Sequence, residues 1–219
     1  MRRRTAAAGA ALMLTVTALA SQLAIPPIAE SRLRGHLESF GSVTSVKVSS
    51  TPAAMLLLGK VDHLTVRMSA ATVTADALDP DALERARRVK DLDARVDELR
   101  AGPLRVDSVV VEKHGSTLDA SASLDVDQLE SALPGAHLTT DDGAIVLELA
   151  DVPLPLPGPI RIQLGVEDGS VVARPLGALS SLLPTQQLLD RPDLSVDSLR
   201  GTVTAGRVDL NATATLTKL

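Results

Sequence analysis

Between Val43 and Ala70 two alternating runs of polar and apolar residues flank a short apolar knot. Val43 to Ser50 enters as one run. Leu64, Val66, Met68 and Ala70 then alternate with His63, Thr65, Arg67 and Ser69, the period-two signature of a strand with one apolar face. The knot, Met55 to Leu58, is too short to span a bilayer. It suits either plain core or the floor of an apolar pocket. Pro52 and Gly59 bracket one or two helical turns around it.

Upstream, Ala29, Leu33, Leu37 and Phe40 recur at helical spacing, with Arg32, Arg34, His36 and Glu38 mostly on other faces. This predicts an amphipathic helix over 28–40, ended by Gly41, that packs on a sheet or serves as a lid or membrane-proximal segment. Downstream, Asp79-Pro80 starts a predicted helix running to about Val89. From Asp91 to Leu99 helix and strand templates compete, and a strand is the chosen reading. Strands follow over Leu104–Lys113 and around Leu118–Leu124, then a short helix over Asp125–Leu133 with Asp125 as its cap. A hairpin turns at Asp141-Asp142-Gly143. Prolines at 153, 155, 157 and 159 place that segment at an edge or outside any sheet. Ile160 to Val166 alternates, Glu167-Asp168-Gly169 turns, Leu176 to Leu189 reads as a leucine-rich helix bent at Pro184, and two strands close the chain around Ala205-Gly206. Hairpins dominate. The expected fold class is therefore α+β: a strongly curved, mostly antiparallel sheet wrapped on a few amphipathic helices, with an apolar groove.

Composition narrows the function. Of 219 residues 45% are apolar and 22% charged, enough for one domain with a substantial core. There is no Cys, and Phe40 is the sole aromatic side chain. Disulfides, thiol nucleophiles and aromatic stacking of bases or sugars are thereby excluded. Arg2, Arg3 and Arg4, the apolar run Ala6–Leu19 and Ala18-Leu19-Ala20 form a signal segment cut after Ala20, the alternative being an uncleaved anchor. Residues 1–20 are thus read as targeting and 21–219 as a single exported domain of the periplasm or cell envelope. Cleavage takes the net charge from −5 to −8, which argues against nucleic acid and against purely electrostatic membrane docking.

No catalytic motif is present: neither a nucleophile elbow, a His-Glu-x-x-His zinc site, a phosphate loop nor a dinucleotide fingerprint. His36, His63, His114 and His137 stand far apart in sequence, so none is assigned to a metal. The Asp-x-Asp pairs at 79–81, 91–93 and 125–127 suit helix caps and outward strand positions better than a cation site. The reading assigns no catalytic residue, metal or cofactor, and no enzymatic activity. Arg85, Arg87, Arg88 and Lys90 form the densest basic cluster, either a solvated face or a site for an anionic headgroup.

Several segments resemble the lipomannan elongation factor-like phospholipid-binding family of actinobacteria, formerly a domain of unknown function. They are the short signal, the 28–40 helix with Glu30 and Arg34, Ser50-Thr51-Pro52, Leu56-Leu57-Leu58-Gly59-Lys60-Val61-Asp62-His63-Leu64-Thr65-Val66, Val106–Val111, Ala120–Leu124 and the final hairpin. Low aromatic content and the segment 79–90 depart from that pattern. The resemblance implies a fold like the tubular lipid-binding superfamily and phospholipid binding in the envelope, in service of lipid transfer or mannolipid assembly. On that reading the acyl-facing candidates are Leu33, Leu37, Phe40, Met55, Leu57, Leu58, Leu64, Val66 and Met68, and the headgroup candidates are Arg85 and Arg88. The expected partners are phospholipid and a membrane surface. The alternative is a non-catalytic structural or partner-binding domain with a fully packed core.

Overall fold

Where a strand alternates, its pairing register decides whether the apolar positions of successive strands line up, and here they do across seven positions. The computed structural model describes residues 27–51, 55–56, 59–73, 86–101, 104–128, 135–149, 159–177, 180, 183–204 and 206–217. A helix, α1, covers residues 27–37. The strands are β1 (Gly41–Ser49), β2 (Val61–Val73), β3 (Val89–Val96), β4 (Leu99–Ala101), β5 (Leu104–Val106), β6 (Ser108–His114), β7 (Thr117–Asp125), β8 (Ala136–Asp141), β9 (Ala144–Leu149), β10 (Ile160–Glu167), β11 (Ser170–Leu176), β12 (Gln186–Leu189), β13 (Leu194–Thr204) and β14 (Arg207–Leu216).

They form two sheets. The larger has nine strands in the order β13-β14-β7-β6-β3-β2-β4-β5, with β1 also on β2; the smaller runs β12-β11-β10-β9-β8. All pairings are antiparallel except those of β2 with β3 and β4. The ladder is interrupted between β3 and β4, which both pair with β2, and again at Asp107 between β5 and β6. Two hairpins of the smaller sheet use two-residue turns, Asp142-Gly143 and Asp168-Gly169, with φ of 49° and 78°, and 49° and 77°. Positive φ at both central positions gives the turn twist that matches paired strands, and Asp-Gly tolerates it best.

The expected α+β class is overturned. The protein is mostly β: 68% of the described residues lie in strands, and among the described residues there are two helices and no closed barrel. It is not a sheet wrapped on several amphipathic helices. Only α1 stands where a helix of that length was expected, and it stops at residue 37, short of Phe40. The leucine-rich helix expected over 176–189 is not seen among the described residues of that run: Leu176 ends β11, and Leu189 and Gln187 pair with Val171 and Val172, while 178–179 and 181–182 lie outside the described residues. Pro184 withholds an N–H from the middle of that run, and Leu188 and Leu189 are consecutive, a spacing that a strand satisfies as readily as a helix. Residues 90–99 are strands in the main, β3 and the start of β4, not a helix. The helix expected over 79–89 is seen only at residues 86–87, and that over 125–133 only at 126–128; the rest of each lies outside the described residues. Asp125 does cap the latter, its Oδ1 accepting the Asp127 N–H at 2.8 Å. The mostly antiparallel sheet and its hairpins stand as expected.

Candidate functional site

Register sorts the larger sheet into a polar face and an apolar face. Three rows cross seven strands on the apolar side. The first reads Val48, Leu64, Leu92, Lys113, Leu118, Ala214, Val196; the second Val46, Val66, Ala94, Val111, Ala120, Ala212, Leu199; the third Val43, Met68, Val96, Val109, Ala122, Leu210, Gly201. Between them on the reverse side lie rows such as Lys47, Thr65, Asp93, Glu112, Asp119, Thr213, Ser198. That side is laced by Thr213 Oγ1 donating to Asp119 at 2.9 Å, Ser123 Oγ to Asp209 at 2.7 Å and Thr215 Oγ1 to Asp197 at 2.7 Å. Such a sheet has a wet side and a side that needs cover.

The cover is uneven. At one margin α1 crosses β1 and β2: Leu37 and Phe40 pack against a core of Val66, Met68 and Ala71. Glu30 Oε1 accepts the Val48 N–H at 3.0 Å, which occupies a donor of the edge strand β1. At the other margin β13 is the seam with the smaller sheet. Its Val196 and Gly201 N–H groups donate to the Gly169 and Gly143 carbonyls at 2.7 and 2.9 Å, in the two hairpin turns. Ile145 is buried at this seam against Gly201, and Val146 on β9 and Val208 on β14 are buried as well. Between the margins, Val109, Val111, Ala120, Ala122, Leu210 and Ala212 are only half-buried, while Ala94 and Val96 on β3 pack against the core under α1. The six span β6, β7 and β14, two strand spacings or about 10 Å. Three of these six are alanines, whose single methyl groups set the floor low between the larger side chains at either margin.

One end of the apolar face carries a charge. Lys113, in the first row between Leu92 and Leu118, is 1% exposed. Its ammonium donates to the Val89 carbonyl and, at 3.2 Å, to that of Lys90. Burial pushes its pKa down from the ordinary lysine value, and the Asp91 charge pulls it partly back. Beside it the 86–88 segment closes this end of the sheet, with Arg87 donating to the carbonyls of Asp193, at 3.0 Å, and Thr217.

On the wet side, register brings together two histidines that lie far apart in sequence. His63 and His114 flank Asp91 on adjacent strands, their Nδ1 atoms 3.2 and 3.5 Å from its two carboxylate oxygens. Sequence spacing alone gave no sign of this; the parallel pairing of β2 with β3 creates it. Among the described residues no group of His, Asp and Glu is placed to hold a metal ion.

The predicted lipid-facing residues divide. Val66 and Met68 are buried core, with Leu37, Phe40 and Leu64 packed on it. Leu33 and Met55 are half-buried, Met55 in a single tight turn. The chain before it, at Ser50 and Thr51, is tied to β2 through Asp62, which accepts Ser50 Oγ at 3.1 Å and the Thr51 N–H at 2.7 Å. Leu57, Leu58 and Arg85 lie outside the described residues, and Arg88 is exposed one position before β3. Sequence reading missed the half-open floor on β6, β7 and β14, although its alternation was visible in Val109–Val111 and Ala120–Leu124. A separate cleft of about 290 Å³ sits at the seam, lined by Asp142, Leu164, Glu167, Arg174, Leu199 and Arg200 among others.

No helix among the described residues is long and apolar enough to cross a membrane. No family model matches the sequence, and neither a curated protein nor a solved structure matches the chain. The likeness to the phospholipid-binding family therefore rests on the segments quoted for it.

Proposed function

We propose that this is an exported cell-envelope protein that binds phospholipid acyl chains along the half-open middle of the larger sheet's apolar face. The observation that carries the proposal is the contrast along the three rows: aliphatic residues covered by α1 at one margin and by the smaller sheet at the other, with an alanine-rich floor between them that is only half covered. A contiguous apolar surface of this kind ordinarily marks a binding site. Each methylene moved from water onto such a floor gains roughly 0.8 kcal/mol, so an acyl chain binds without a charge contact. Arg88, exposed one position before β3 at the Lys113 end of the face, supports an anionic headgroup there. The role is one of binding and carriage, in lipid transfer or mannolipid assembly, rather than of turnover.

The test is native mass spectrometry of the purified chain, before and after delipidation, with phospholipids of graded chain length offered back. Co-purifying lipid, or uptake that strengthens with chain length, is the expected result. A delipidated, folded chain that takes up none of them would establish the packed partner-binding domain instead.

A further inference from the structure

The six residues from Leu183 to Leu188 are all exposed, the longest such run among the described residues. Leu183 is 49% and Leu188 57% exposed, and among the described residues they are two of the three large apolar side chains so exposed, Ile28 being the third. The other exposed runs of three or more carry ionisable groups: Arg34 and His36 in 34–36, His114 in 114–116, Asp141 and Asp142 in 139–142. This one carries none, and in sequence no ionisable residue occurs from Pro175 to Leu189. In a chain that is 22% charged, that gap lies where solvent would favour charge most.

Strand addition by another protein does not account for the gap. β12 is an outer strand of the smaller sheet, but it is four residues long and its pairing is bulged between Val171 and Val172. Shortness and bulging are the devices that discourage edge pairing. We infer that the Leu183–Leu188 segment is a docking surface for the headgroup–acyl boundary of a lipid bilayer. Leucines enter the boundary, Thr185, Gln186 and Gln187 bond to headgroups, and no charge has to be dehydrated. The acidic balance, −5 for the full chain and −8 without Arg2, Arg3 and Arg4, fits attachment of this kind: an acidic body is repelled by an anionic leaflet, which leaves an uncharged stretch as the means of contact. The inference rests on the lipid-binding reading and adds the place where the protein meets the membrane.

Because the chain has no cysteine, one probe can be placed cleanly. The full chain carrying Leu188→Cys, labelled with an environment-sensitive nitrobenzoxadiazole dye, is titrated with phosphatidylcholine vesicles; exposed Thr202→Cys on β13 is the reference. The expected result is a blue shift at position 188 alone, unchanged by salt. Adding Leu183→Ser weakens the vesicle affinity that this probe reads by roughly tenfold. A dye that stays in water while vesicles bind the chain, no vesicle binding at all, or a blue shift that tracks protein concentration without vesicles would each overturn the docking surface, the last in favour of a second copy. Uptake of monomeric lysophosphatidylcholine, read by mass spectrometry, reports the groove separately. Uptake kept without a blue shift sinks the docking surface alone, and a blue shift kept without uptake sinks the groove alone.

Discussion

Ile145 presses directly on the α-carbon of Gly201. A Cβ at Gly201 would overlap Ile145 Cγ1 and stand 3.1 Å from its Cδ1, with Leu210 Cδ2 3.5 Å away. Gly201 is therefore where the smaller sheet closes onto the larger, and its N–H, bonded to Gly143, fixes the approach. Gly201→Ala is expected to cost about 1–3 kcal/mol through overpacking, and Ile145→Ala about 2–5 kcal/mol through loss of a buried side chain. Combined, they should cost less than their sum, because the alanine methyl at 201 fills part of the space left at 145. Chemical denaturation of the four proteins measures the coupling; strict additivity would mean the two residues do not share the seam.

Lys113 gives a pH signature. Its pKa in the folded chain is lowered, chiefly by burial. Unfolded, it holds its proton up to about 10.5. Between the folded and unfolded values the unfolded chain carries the extra proton, so stability rises with pH across that window and this lysine adds no slope below it. Lys113→Met keeps the bulk and discards the buried charge. It should unfold no more easily than the parent at neutral pH and lose the alkaline rise. Denaturant midpoints from pH 7 to 10.5 decide the matter; an unchanged rise in the variant would assign it to another group.

Asp62 gives the opposite limb. The Thr51 N–H holds its carboxyl below the usual range, with Ser50 and the charges of Lys90 and His63 adding to this against some desolvation. A depressed folded pKa supplies stability at pH values above the unfolded one, near 3.8, and loses it as pH falls through the folded value. Asp62→Asn should flatten the acid limb below about pH 4 and speed hydrogen exchange at the Thr51 amide by freeing the Ser50–Thr51 segment after β1 that it holds. Exchange at Thr51 as slow as in the parent would show that the anchor lies elsewhere.

What was legible in the sequence was the local part of this architecture. Asp-Gly turns, period-two alternation and Gly206 placed the hairpins β8–β9, β10–β11 and β13–β14 where they stand. Partners distant in sequence were not legible. The pairing of β2 with β3 is parallel, and only that register sets Asp91 between His63 and His114. The same non-local register decided that Val66 and Met68 lie beneath α1 while Val109, Val111 and Ala122, equally alternating, lie in the open middle. The leucine run at 176–189 misled because leucine spacing over a few residues does not separate helix from strand, and an outer-strand position on β11 settled it.

The location of the proposed lipid site turns on that distinction. Ala120 and Ala122 on β7 point to the half-open floor, and each has room to grow. Ala120→Leu with Ala122→Leu raises the floor by six carbons without adding charge, and strand propensity is little affected. The pair should leave the chain folded, with an unfolding midpoint near the parent's, and weaken lysophospholipid uptake roughly tenfold or more as methylenes lose their contact surface. Val66→Ala should behave in the reverse way. Val66 is 7% exposed beneath Leu37 and Phe40, so truncation removes buried carbon and costs about 2 kcal/mol in stability. Uptake per folded molecule should not change. Mass-spectrometric titration beside thermal unfolding separates these effects. Should the β7 pair bind lipid as the parent does while Val66→Ala does not, the acyl chain lies under α1 and the middle of the sheet is merely its neighbour.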